Sequence, residues 1–160
     1  MVKTLINNEL YLSYPDGFHE MSAAELKETF LDENPNRWGI KDENRHMLIT
    51  VLWNHTNMLS ALVVGPQAVA YSAERKLSAS LNKSNYKSGA IEAIKINGRN
   101  CYKFAYKYVL ENVEQIGEVL VMQNVNRYYT MYTYALKDKK QAARVIIDSI
   151  TNSLKFTNDK

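Results

Sequence analysis

This chain has few residues of the types that commonly act in catalysis or metal binding, and only three of them are histidines. His19 stands beside Glu20 and follows Asp16, a spacing that offers a metal ion one nitrogen and two carboxylates. Metal sites need three or four converging ligands, and a Pro-Asp-Gly turn already explains Asp16. His46 lies at the start of a predicted strand, where a solvated side chain is the simplest interpretation. We therefore predict no metal site and no cofactor.

Cys101 is the single cysteine, which excludes an internal disulfide and a cysteine-based metal cluster. A catalytic thiol needs an activating neighbour, whereas Asn100 and Tyr102 beside Cys101 favour a small buried strand residue. The six glycines form no phosphate-binding loop, and the sequence contains no nucleophile elbow of the Gly-x-Ser-x-Gly type. A Ser–His–Asp site assembled from distant residues stays open. The pattern as a whole predicts a protein that is not an enzyme.

The eleven tyrosines are the best candidates for a functional site. Two predicted strands each carry several of them on one side, because alternate residues of a strand share a side. Such rings serve equally well in a packed core and in a binding surface. The binding interpretation predicts an aromatic patch that contains Tyr102, Tyr106, Tyr128 and Tyr132. Whether the two pairs share one sheet face depends on the strand register, which stays open here.

The strongest structural signal is the Asn97-Gly98 pair between two runs of alternating residues, 90–96 and 99–108. A type I′ turn needs positive φ at both central residues, and Asn-Gly satisfies that need at little steric cost. Two strands joined by such a turn are antiparallel. The pair therefore predicts an antiparallel sheet rather than a parallel, doubly wound one.

Helix signals occur early, in the middle and late in the chain. Residues 22–25, Ser-Ala-Ala-Glu, match a capping box, and Pro66 after Gly65 is typical of a first helical turn. Asp138 is predicted to cap the last helix. The buried face of that helix is predicted to comprise Ala142, Val145, Ile146, Ser149, Ile150, Ser153 and Leu154.

The predicted order is β-β-α-β-β-α-β-β-β-β-α. The fold class is α+β, with an antiparallel sheet of about six or seven strands sandwiched between helices. The length of 160 residues fits one domain. We predict that this domain spans residues 1–156 and that residues 157–160 form a polar tail.

Charge is uneven along the chain, since residues 51–110 carry eight Lys/Arg and two Asp/Glu. These lysines are spread along strands, a pattern that more often protects a sheet edge than binds nucleic acid. The longest apolar run, residues 58–64, is far shorter than the ~20 residues that span a bilayer. We expect no membrane insertion and a cytoplasmic location, with an export leader removed before residue 1 as the open alternative.

The chain resembles the PsbP-like superfamily. The resemblance rests on the N-terminal strand pair that ends in Leu-Ser-Tyr-Pro-Asp-Gly-Phe at residues 12–18, and on the strand pair before a long middle helix. It extends to the four-stranded meander and to the closing helix with Ile-Thr-Asn-Ser-Leu-Lys-Phe at residues 150–156. It implies an α/β/α sandwich and a bacterial member of unknown function. Members of the superfamily include lumenal photosystem proteins and a Ran-GTPase release factor, and most are binding or accessory proteins.

The sequence thus predicts a non-catalytic binding or accessory module whose partner is another protein. One alternative is a small-ligand-binding protein or enzyme with a pocket between the sheet and the middle helix. A concave cavity with converging polar groups would favour that alternative, and a broad aromatic patch would favour the module. A nucleic-acid binder is the third possibility, and it would bind polyanions with strong salt dependence.

Overall fold

The computed structural model describes residues 1–55 and 65–159 of the chain, so the apolar run at residues 58–64 lies outside the described residues. The helices are α1 (Ala23–Phe30), α2 (Pro66–Ser80) and α3 (Lys140–Ser153). The strands are β1 (Val2–Ile6), β2 (Leu10–Tyr14), β3 (His19–Glu20), β4 (Arg37–Asp42), β5 (Met47–His55), β6 (Lys87–Ser88), β7 (Glu92–Ile96), β8 (Arg99–Leu110), β9 (Val113–Asn124), β10 (Arg127–Leu136) and β11 (Lys155–Phe156).

The strands form two antiparallel sheets, which confirms the predicted α+β class. The larger sheet has eight strands in the order β3-β4-β5-β10-β9-β8-β6, with β7 also paired to β8. The smaller sheet has the order β1-β2-β11. The described strands are more numerous than the predicted sheet of about six or seven, and they divide between two sheets. The N-terminal pair separates to form its own sheet, and β3, β6 and β11 have two residues each, too few to show a pattern in the sequence.

The predicted hairpin is confirmed between β7 and β8, where Ile96 pairs with Arg99 across the turn. Asn97 has a φ of 49° and Gly98 a φ of 80°, so both central residues are left-handed. Other tight connections use the same conformation, at Asn7-Asn8 and at Glu111-Asn112. These short turns fix the register of consecutive strands.

Replacing Gly98 with valine should destabilise the protein by at least ~1 kcal/mol, because a β-branched residue resists positive φ. Space is not the cause, since no atom lies within 4 Å of a Cβ added at Gly98. Chemical denaturation of both proteins measures the difference. The control Gly98→Asn should cost less, since asparagine tolerates the left-handed region. Equal midpoints for wild type and Gly98→Val would contradict the turn assignment.

The two faces of the eight-stranded sheet are covered differently. One face packs under the three-stranded sheet and α3, in a core whose fully buried side chains include Leu12, Ile49, Tyr129, Ile150 and Phe156. The other face packs under α2, whose buried residues are Ala70 and Ala73. Small residues on α2 let its backbone approach the sheet closely. We call this second surface the tyrosine face, because its strands carry Tyr102, Tyr106, Tyr108, Tyr132 and Tyr134 on this side.

The predicted starts of α1 and α2 are confirmed. The Ser22 hydroxyl accepts a hydrogen bond from the Glu25 backbone amide at 3.2 Å, as a capping residue does. Pro66 is the first residue of α2, and Gly65 is its N-cap. Each signal is local, because it depends on residues within one turn of helix.

The predicted face of α3 is correct for Ile150 and Leu154, which are buried, and wrong for Ala142, Val145 and Ser149, which are exposed. Asp138 does not cap the helix, because a 3-10 turn at Lys137–Lys139 precedes it and Lys139 is the N-cap. The buried residues are Ala143, Ile147 and Ile150, together with Leu154 just after the helix. Ile146 is half-buried against the core, whereas Val145 is 70% exposed. The set 143, 147, 150 and 154 fits a helical stripe as well as the predicted set did, so periodicity alone could not choose between them.

Residues 157–159, which belong to the predicted polar tail, make specific contacts with the rest of the domain. The Thr157 amide donates to the Glu9 carbonyl at 2.8 Å, and the Phe156 amide donates to the Asp159 carboxylate at 2.9 Å. Arg99 also pairs with Asp159. We therefore expect removal of residues 157–160 to weaken the three-stranded sheet.

Candidate functional site

The four predicted patch tyrosines lie on one face of the eight-stranded sheet, the face that α2 covers. The register settles this point, because Tyr102 pairs with Val121 and Tyr132 pairs with Val119. Tyr106 is 3% exposed and Tyr128 is 4% exposed, whereas Tyr102 and Tyr132 are half-buried. Tyr129 lies on the opposite face, as alternation requires. The patch is thus part of a covered surface, with two of its four rings partly accessible.

Gly117 allows the central ring of this face to lie flat on the sheet. Gly117 pairs with Tyr106 on one side and with Tyr134 on the other. The Tyr106 ring crosses above it, and its hydroxyl donates to the Thr133 carbonyl oxygen at 2.9 Å. A Cβ at Gly117 would lie well inside 3.0 Å of both that oxygen and the Tyr106 hydroxyl. A side chain of any size is therefore excluded at residue 117.

The rings around Tyr106 form one aromatic cluster. Tyr108 stacks on Tyr106 at a centroid distance of 6.1 Å, and Tyr134 meets it edge-on at 6.0 Å. Burial raises the pKa of Tyr106 and of Tyr134 well above the ordinary value. Tyrosine hydroxyls are protonated at physiological pH even at their ordinary pKa of about 10, and burial strengthens this preference for the neutral form. The tyrosine face presents neutral hydrogen-bonding groups rather than phenolates.

A cleft of about 720 Å³ lies between α2 and the tyrosine face, and we call it the tyrosine cleft. Strands β5 and β10 form its base, α2 forms one wall, and the segment from Phe30 to Arg37 forms the other. The residues of the base are Thr50, Leu52, Asn54, Tyr128, Thr130, Tyr132 and Tyr134. The volume lies within the range of ligand-binding cavities.

Arg37 is the one described residue of the tyrosine cleft that combines deep burial with an unsatisfied polar atom. Its side chain is 9% exposed, and its guanidinium lies 4.2 Å from the centre of the Phe30 ring. One Nη pairs with Asp32, but the buried Nε has no hydrogen-bond partner in the part of the chain that the structure describes. Burial raises the pKa of Tyr132, and the nearby Arg37 charge partly offsets this effect. An unsatisfied buried donor costs stability, and a bound acceptor oxygen would satisfy it.

A second depression of about 610 Å³ adjoins the tyrosine cleft and shares Phe30 and Tyr134 with it. Tyr108 and Leu110 also line it, and Leu110 is exposed. Leu31 lies between Phe30 and Asp32 and is 88% exposed. The accessible part of the tyrosine face is therefore a broad surface with apolar side chains at its margin.

The other residues singled out in the sequence do not assemble into a chemical site. His19 pairs with Glu25 at 3.1 Å and lowers the pKa of that carboxyl, while Glu20 accepts from the Trp38 indole at 3.0 Å. Burial raises the pKa of the Cys101 thiol to about 11. No group of three or more metal-ligating His, Cys, Asp or Glu residues occurs within residues 1–55 and 65–159.

Sequence reasoning missed Arg37, the most distinctive residue of the cleft. It lies next to Trp38 at the start of a strand, and no local pattern marks it. Its burial depends on Phe30 and Asp32, which α1 and the following loop bring beside it. A single arginine with an aromatic and a carboxylate some residues before it is too common a pattern to identify a site.

Comparison with solved structures decides the fold. The chain aligns with the solution structure of cyanobacterial PsbP (CyanoP) from Synechocystis sp. PCC 6803 with a TM-score of 0.73 and 15% identity, over 97% of this chain and 91% of that one. The chain has the PsbP-like fold. The resemblance inferred from the N-terminal turn, the meander and the closing helix is thereby confirmed at the level of fold.

Two further structures share the PsbP-like fold at low identity. The Ran-binding protein Mog1p from Saccharomyces cerevisiae aligns with a TM-score of 0.58 and 10% identity, over 96% of this chain and 94% of that one. LpqN from Mycobacterium tuberculosis, described as involved in cell envelope biogenesis, aligns with a TM-score of 0.54 and 13% identity, over 92% and 83%. No protein-family model and no curated protein matches the sequence. Among the described residues, no helix has the length and apolar character needed to cross a membrane.

Proposed function

We propose that the protein is a non-catalytic binding module that recognises a segment of a partner protein through its tyrosine face. The observation that carries the proposal is the tyrosine cleft, where partly exposed Tyr132 lies near the buried, unsatisfied Nε of Arg37. Tyrosine and arginine are enriched among the residues that dominate protein interfaces. A backbone carbonyl or carboxylate of the partner would supply the acceptor that Arg37 lacks.

The breadth of the surface favours a protein segment over a small molecule. The tyrosine cleft and the adjoining depression together extend from Asn54 to Leu110 across the sheet. Leu110, which lines the adjoining depression, is 55% exposed and adds apolar area to this surface. The PsbP-like fold agrees with this role, since Mog1p is a Ran-binding protein. A free small ligand in the tyrosine cleft is the second candidate, because its volume alone would suffice.

A peptide-display selection on the intact protein tests the proposal without knowledge of the partner. The selection is run at high salt, which screens binding that depends on surface charge alone. We expect enriched peptides whose affinity falls at least about tenfold in Tyr132→Ala, as for a residue at the centre of an interface. Arg37→Lys should also weaken binding, because lysine keeps the charge but has no Nε donor.

Matched variants on the solvent side of α2 provide the controls. Tyr71 and Arg75 are both exposed residues of α2 outside the tyrosine cleft, so Tyr71→Ala and Arg75→Lys should leave peptide affinity unchanged. Enriched peptides that bind all four variants as tightly as the wild type would contradict the proposal. A selection that enriches no peptide, with small molecules binding the cleft in a fragment screen, would favour the second candidate.

A further inference from the structure

A groove on the sheet face opposite the tyrosine face collects basic residues from three elements. It has a volume of about 420 Å³ and lies between α3 and the strands β6, β8 and β9. Its basic residues are Lys87, Lys107, Lys140 and Arg144, and its single acidic residue is Glu118. We call it the basic groove.

The acidic residue is already neutralised. Arg144 pairs with Glu118 at 2.6 Å and also approaches Asp148 at 3.5 Å. Lys87, Lys107 and Lys140 form no ion pair with any residue in the described ranges 1–55 and 65–159. Three uncompensated positive charges therefore face one small volume.

All three of these lysines occupy positions that cost stability in the free protein. Lys87 and Lys107 are direct partners across β6 and β8, and like charges placed opposite each other on paired strands repel. Lys140 is the first residue of α3, and that first turn has no acidic residue and no side-chain cap. A cation at a helix N-terminus interacts unfavourably with the helix dipole. An anion in the basic groove would relieve both effects.

The base of the groove is apolar, which restricts the kind of anion. Ala105, Ile116, Ala143 and Ile147 line it between the basic residues. Ala105 is exposed although it lies in the middle of β8, so this part of the sheet face has no cover within the described residues. A phosphate ion or a nucleic-acid backbone would match the charges but leave the apolar base unused. A peptide that alternates acidic and apolar side chains would match both.

We propose that the basic groove is a second binding site, which takes an acidic segment of a partner protein with apolar residues between its carboxylates. The site is independent of the tyrosine face, since the eight-stranded sheet separates the two. The carboxylates pair with Lys87, Lys107 and Lys140, and the apolar side chains contact exposed Ala105 and half-buried Ile116.

Fluorescence anisotropy with a labelled hexapeptide of alternating glutamate and leucine tests the site. We expect the double variant Lys107→Gln/Lys140→Gln to bind this peptide at least about tenfold more weakly than the wild type, with an affinity that falls as salt rises. The matched control Lys83→Gln/Lys95→Gln removes the same charge at exposed residues outside the groove, and it should bind like the wild type. Hexaglutamate should bind more weakly than the alternating peptide, because it cannot use the apolar base.

Three results would overturn the proposal: no binding by the wild type, equal loss in both double variants, or hexaglutamate binding as tightly as the alternating peptide. The first two would mean that the lysines only solubilise the sheet edge, and the third would indicate a general polyanion site. Tyr132→Ala should leave binding of the alternating peptide intact. Failure at the basic groove is thereby distinguished from failure of the tyrosine-face proposal.

Discussion

Replacing Gly117 with alanine should destabilise the protein by at least about 2 kcal/mol, as expected when an atom is forced into a well-packed core. The new Cβ would collide with the Thr133 carbonyl oxygen and with the Tyr106 ring. Thr133 lies within the paired segments of β9 and β10, so its backbone cannot shift without disturbing the register of these two strands. Movement of Tyr106 would also lose its hydrogen bond to Thr133. Urea denaturation followed by circular dichroism measures the change.

Gly89→Ala is the matched control for this substitution. The nearest atom to a Cβ added at Gly89 is the Ala105 carbonyl oxygen at 3.8 Å, an ordinary contact distance. The control should keep wild-type stability within about 0.5 kcal/mol, as is usual for changes without a collision. Gly117→Ala with wild-type stability would mean that Tyr106 does not lie across β9, and the description of the tyrosine face would then be wrong.

Replacing Ile150 with alanine should cost roughly 2–5 kcal/mol, from lost burial and from the cavity that remains. Ile150 is fully buried where α3 packs on the core, and Ile147 beside it on the same helix face is also buried. Ile147→Ala should give a loss of similar size. The free energy of unfolding, measured by denaturant titration, reports both.

Two neighbouring residues test the assignment of the α3 face. Val145→Ala should change stability by no more than about 0.5 kcal/mol, because Val145 is largely exposed. Ile146→Ala should fall between the two extremes, since Ile146 only partly contacts the core. A loss at Val145 that equals the loss at Ile150 would restore the face predicted from the sequence and contradict the structure.

Local signals in this chain predicted local structure well. The Asn97-Gly98 turn, the Ser22 cap and the Gly65-Pro66 helix start each depend on residues adjacent in sequence, and each is confirmed. The cap of α3 was misplaced because a 3-10 turn of three residues precedes the helix. Part of its buried face was misassigned because helical periodicity fits the predicted and the observed residues equally well. The separate three-stranded sheet was missed because β11 has only two residues and pairs with a strand far away in sequence.

The candidate site was only partly visible in the sequence. Alternation correctly grouped the tyrosines within each strand, but their common face depends on pairing through β9. The depth of the tyrosine cleft depends on how α2 and the segment after α1 lie above the sheet. Arg37 becomes notable only through its burial beside Phe30 and Asp32. These are long-range relations, which residue type and spacing do not carry.

The central claim is that the tyrosine face binds a partner segment, and fluorine NMR of the protein labelled with 3-fluorotyrosine tests it most directly. Each of the eleven tyrosines gives one signal, which single Tyr→Phe variants assign. On addition of a display-selected peptide, we predict that the signal of Tyr132 shifts, together with that of Tyr134 beside it in the tyrosine cleft. Tyr11 in the three-stranded sheet and Tyr71 on the solvent side of α2 should stay unchanged. Shifts confined to Tyr11 or Tyr71, with Tyr132 and Tyr134 unaffected, would contradict the claim.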